Sequence, residues 1–215
     1  MTFKKISISF LLLILMNFST SALELKIPKN LKIPKIGGKK ADIGKAKLNF
    51  TKIFFESSIN YMEAQYHLFN ALEMNDEASK TKKSIAFVKD TKNKEGKRLT
   101  NAFATSTENS EAIEGALGKE KNLSAEGKVH YAKALPFAVK GLIGMVQLPP
   151  EANSLLKTIK SDKMAALKMG DFLKVLPKIP EYVSSATKVG NLIVTGAKSR
   201  EVKGADDATK ALGDL

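Results

Sequence analysis

Two histidines occur in the chain of 215 residues, and each follows a glutamate by four positions. One pair lies in Glu63-Ala64-Gln65-Tyr66-His67 and the other in Glu126-Gly127-Lys128-Val129-His130. On a helix, a spacing of four puts carboxylate and imidazole on one face, where they can hydrogen-bond, exchange a proton or offer two metal ligands. Asn49, Glu56 and Asn60 extend the first pair into a lane of acids and amides. Di-iron bundles, by contrast, use Glu-x-x-His, three apart, with further glutamates from the remaining helices. The spacing here differs and the extra ligands are missing, so capped, hydrogen-bonded or surface pairs are the expectation. No metal or other cofactor is expected, and Glu63, His67, Glu126 and His130 are the residues that would hold one.

Other chemistry finds less to work with. The chain has no cysteine, which removes disulfides, thiol catalysis and thiolate-ligated metals together. No Gly-x-Ser-x-Gly elbow is present, and only the two histidines could serve as an imidazole base. Gly37-Gly38-Lys39-Lys40 lacks the spacing of a phosphate loop and follows no buried strand. With no nucleophile and base singled out, the expectation is a protein that is not an enzyme.

The stronger signal is a surplus of apolar surface on helical periods. From about Ala46 to Met74 there is no proline or glycine, and the run sorts into two apolar stripes. Leu48, Phe55, Ile59, Met62, Tyr66 and Phe69 form one; Phe50, Ile53, Phe54, Tyr61, Ala64, Leu68, Ala71 and Leu72 form the other. A helix apolar on two sides is enclosed by neighbours or lines a cavity. Residues 124–148 are apolar around most of their circumference. Two such helices suggest a site for a lipid-like ligand, with Phe55, Ile59, Met62, Tyr66, Phe69, Leu135, Val139 and Ile143 as the candidate lining.

The elements that must position these residues are all helices. A cap at Asn75 opens a second helix that runs to about Lys94, and Gly96 separates it from a third, 97–117, in which the polar run Thr105–Ser110 is a candidate interruption. Both read as a solvated outer layer. Further helices are expected from the Pro149-Pro150-Glu151 restart to about Lys160, over 162–176 and over 181–197. No segment after residue 36 alternates convincingly. The expected fold is all-α: one domain, residues 46–197, a bundle of five to seven helices with 46–74 and 129–148 in contact at its centre. A polar tail, 198–215, is expected to fray.

The ends and the charge bear on where such a protein works. Lys4 and Lys5, the apolar run Ile6–Phe18 and the small residues up to Ala22 have the form of a secretory signal peptide, residues 1–22. Residues 23–45 are expected to be an extended basic arm, in which Leu-Lys-Ile-Pro-Lys occurs twice and proline precludes helix. The formal charge is +13. For a periplasmic protein that points to anionic phospholipid, the envelope surface or an acidic protein rather than to nucleic acid. No transmembrane segment is expected in the processed chain. The expected function is therefore an exported binding protein for a hydrophobic or amphipathic ligand or for the envelope surface. The alternative is an adaptor with a dry helical core that binds an acidic periplasmic protein.

Overall fold

The computed structural model describes residues 42–119 and 122–213. The expected signal peptide and all but the last few residues of the expected arm lie outside the described residues. Every regular element among those described is helical, in the order α1 (Ile43–Ala71), α2 (Asn75–Lys89), α3 (Glu95–Leu117), α4 (Ala125–Met145), α5 (Leu148–Ser161), α6 (Lys163–Lys168), α7 (Gly170–Val175), a 3₁₀ turn (Leu176–Lys178), α8 (Ile179–Ser199) and α9 (Ala205–Gly213). Seven of these helices run nine residues or longer. The all-α bundle is as expected, and α1 packs on α4 more extensively than on any other element.

Several boundaries shift for local reasons. α1 starts at Ile43 because Asp42 caps it, its Oδ1 accepting from the Gly44 and Lys45 amides at 2.9 and 3.3 Å. It ends at Ala71, short of Met74, because Glu73 adopts φ 60° and the Met74 amide donates back to the Phe69 carbonyl at 2.8 Å. α8 ends the same way, with Glu201 at φ 53° and the Val202 amide donating to Ala197 O at 2.9 Å. α2 stops at Lys89, and Gly96 lies inside the first turn of α3 rather than before it. The stretch 162–176 is two short helices joined at Met169, not one.

Two larger expectations are corrected. Residues 198–215 are not a fraying tail: α8 runs to Ser199, and α9 follows, with Val202, Ala205 and Ala208 buried against α4 and α8. α3 is not a solvated layer, nor is it interrupted at Thr105–Ser110. Leu99, Ala102, Ser106, Asn109, Ser110 and Ile113 form one continuous buried stripe, so the small polar residues continue the apolar face in phase and turn inward.

The buried apolar residues form two clusters along α1. One gathers Phe50, Phe54, Tyr61 and Met62 with Leu142, Met145, Phe172 and Tyr182; the other gathers Ala64, Leu68 and Phe69 with Tyr131, Leu135, Ile193 and Ala197. No helix among the described residues is long and apolar enough to cross a membrane.

Candidate functional site

α1 meets α4 along a stripe of small residues. A Cβ added at Gly141 would lie 2.9 Å from the Tyr61 backbone nitrogen, one at Gly144 2.7 Å from Ser57 Cβ, and one at Gly127 2.8 Å from the Ala71 carbonyl. Between these, Ala134 and Ala138 are buried. Such distances mean backbone against backbone across the length of the contact, and nothing the width of an acyl chain fits between the two helices along it.

The eight candidate lining residues are therefore spread around this contact rather than along one cavity wall. Met62 and Phe69 are fully buried but belong to different core clusters, and Leu135 is buried in the second. Phe55, Ile59 and Tyr66 are half-buried at the edge of the first cluster, and Val139 at the edge of the second. Ile143 is 37% exposed and enters neither. Phe55 is covered from outside by the Arg98 guanidinium, 4.3 Å from its ring centre. The stripe of α1 that the periodicity placed opposite is the deeper one: Phe50, Phe54, Tyr61, Ala64 and Leu68 are all buried, whereas Leu48 of the lining stripe is 67% exposed.

The histidines do come together. Their ring centres are 6.0 Å apart across the α1–α4 edge, and Phe137 stacks on His67 at 5.7 Å. Their glutamates do not join them. Glu63 pairs with Lys89 of α2 at 2.7 Å, and Glu126 stays at the surface, 4.0 Å from His130 Nε2. Among the described residues, no group of three or more His, Cys, Asp or Glu side chains could hold a metal ion. Burial lowers the His67 pKa below its ordinary value, His130 and Lys133 add to the shift, and Glu63 opposes it. The ring is thereby held neutral, as its place against Phe137 favours.

On its other side α1 is tied to α3 by buried polar groups. Gln65 Nε2 donates to Ser106 O at 2.9 Å and to Ser110 Oγ at 3.2 Å, and Gln65 Oε1 accepts from Asn109 Nδ2 at 3.1 Å. Asn109 also donates to Thr81 Oγ1 of α2 at 2.9 Å. Ser110 Oγ donates to Ser106 O, leaving its lone pairs for the Tyr61 hydroxyl at 3.0 Å. Burial raises the Tyr61 phenol well above its ordinary range and pushes Tyr182, 3.3 Å from Ser58 Oγ, up to about 12. These phenols are neutral hydrogen-bonding groups at any physiological pH. The sequence signal for this seam was the phase of Ser106, Asn109 and Ser110 with the α3 apolar stripe.

Open clefts lie away from the α1–α4 contact. One of about 470 Å³ runs between α3 and α8, with Glu114, Gly118, Thr195, Gly196 and Arg200 in its walls. Another, of about 360 Å³, is bounded by α1, the start of α3, and α6 and α7. Lys47, Lys94, Lys168 and Lys174 converge on it from four segments, and Phe172 forms part of its floor, with the Lys47 ammonium 5.3 Å from that ring's centre. Glu95 pairs with Lys47, and Asp171 with Lys174. None of the lysines of this cleft was singled out from sequence, because they are far apart in the chain and each looks like ordinary solvated surface. Comparison with protein-family models, with curated proteins and with solved structures gives no match to this chain.

Proposed function

We propose that this chain is an exported, non-enzymatic binding protein that docks on an anionic envelope surface. It meets amphipathic material at its exterior rather than in its interior. The observation that supports this reading is the convergence of Lys47, Lys94, Lys168 and Lys174 on one open cleft beside Phe172, in a chain whose formal charge of +13 includes only two lysines, Lys4 and Lys5, from residues 1–22. Four lysines against the two carboxylates of Glu95 and Asp171 leave the cleft net positive, which raises the local potential and attracts polyanions. An interior ligand site draws no support from the backbone contacts at Gly127, Gly141 and Gly144.

The close α1–α4 contact equally suits an adaptor whose lysines bind an acidic protein, and one experiment separates the two. Protein recovered after export is mixed with vesicles of zwitterionic lipid, with and without a third of anionic phospholipid, and sedimented. The expected result is binding to the anionic vesicles alone, weakening as salt is raised. Protein left in the supernatant with both vesicle types, but retained on an immobilised acidic polypeptide, would replace this reading with the adaptor.

A further inference from the structure

α6 carries the two most exposed large apolar side chains of α4–α9. Met164 is 65% and Leu167 79% exposed. They stand three positions apart on one helical face, while Ala166 packs against the core and Met169, just beyond the helix, is buried. The helix is thus held to the body by one side and presents the other to solvent. Around it the chain is strongly basic: residues 157–178 contain six lysines and two aspartates. Lys157, Lys160, Lys168 and Lys174 are exposed. Asp162 is engaged in the turn, its Oδ1 accepting from the Met164 amide at 2.9 Å.

From this placement we infer that α6 is a membrane-surface anchor, inserting Met164 and Leu167 among the acyl chains of an anionic phospholipid bilayer while the neighbouring lysines meet the headgroups. The inference rests on the surface-docking reading above and names the element and the lipid class. A bilayer fits better than the other occupants. A stable protein interface buries roughly 1,200–2,000 Å² around an apolar centre, whereas two exposed side chains on a six-residue helix offer a small patch. A second copy of this chain would bring like charge against like charge. An exposed apolar pair with exposed lysines in the flanking segments suits an interface that is fluid and negative, where each side chain enters separately.

The chain has no cysteine, so Leu167→Cys, labelled with an environment-sensitive fluorophore, reports on this position alone. Ala104→Cys, on the exposed side of α3, is the control. With vesicles containing anionic lipid, the label at 167 should shift to the blue and resist an aqueous quencher, while the label at 104 stays in water. In unlabelled protein, Met164→Ser with Leu167→Ser should weaken vesicle binding by at least about tenfold and leave the helical circular dichroism unchanged. Vesicle binding with both labels in water, or with the double variant binding as well as the parent, overturns the anchor and leaves the docking reading standing. No binding of the parent to anionic vesicles overturns the docking reading itself. A label at 167 that is shielded by unlabelled protein or by an acidic polypeptide, and not by vesicles, also overturns the anchor.

Discussion

The two long faces of α1 are sealed by different means. Toward α4 the seal is steric: Gly127, Ala134, Ala138, Gly141 and Gly144 let two backbones touch. Toward α3 it is chemical: the side chains of Gln65, Asn109, Ser110 and Tyr61 and the backbone carbonyl of Ser106 share a buried hydrogen-bond network. A steric seal is tight but tolerates no added volume. A polar seal specifies register, because a slip of one residue would strand several buried donors at once. Together they hold α1 between its neighbours with contact on both sides.

Substitutions should expose the difference. Gly141→Val places branched carbon against the Tyr61 backbone, which cannot move without shifting α1, and should cost about 3 kcal/mol in urea denaturation. Gln65→Leu keeps volume but leaves Asn109 and Ser110 short of partners in a buried site, costing about 2 kcal/mol by the same measurement. A seal by volume and a seal by hydrogen bonds would thus fail to different substitutions, and equal tolerance of both would erase the distinction.

The rim of the steric face carries a pH dependence. His67 has its pKa lowered in the fold, so the unfolded chain takes up the proton first, near the ordinary value of 6.5. Its contribution to stability is present above that pH and is lost as pH falls through the folded value. Thermal midpoints should therefore decline below about pH 6.5, and His67→Phe should flatten that decline. A midpoint that rises on acidification would contradict the buried, neutral assignment. The smallest effect is a gain. Gly115, exposed on α3 with open space around it, should accept Ala and stabilise by about 0.5–1 kcal/mol. A loss there would mean that α3 is more constrained on its outer side than its open surroundings imply.

Much of the fold was legible because helical phase needs only the residues' order. The two stripes of α1, the apolar α4 and their contact all followed from it. The face that α4 presents to α1 did not, because bulk was taken for burial. Val129 and Ile143 are exposed, while glycines and alanines, which score as neutral, form the contact. The α3 seam was misread for the related reason that Ser and Asn look solvated until their phase is compared with that of Leu99 and Ile113. The ends of α1 and α8 were hidden because glutamates, not glycines, occupy the left-handed positions, and without the stop after α8 the helix α9 could not be set apart from a polar tail. The lysine cleft was invisible in principle, since its members converge only through the packing of α1, α3, α6 and α7.

The account stands on a close α1–α4 contact with binding at the exterior, and native mass spectrometry of protein purified without detergent tests that most directly. The expected spectrum shows the bare chain, with no lipid extractable into organic solvent, because the α1–α4 contact has no room for an acyl chain along the stripe from Gly127 to Gly144. A stoichiometric lipid adduct that survives high salt and disappears in Gly141→Val would contradict it, placing the ligand between the helices after all.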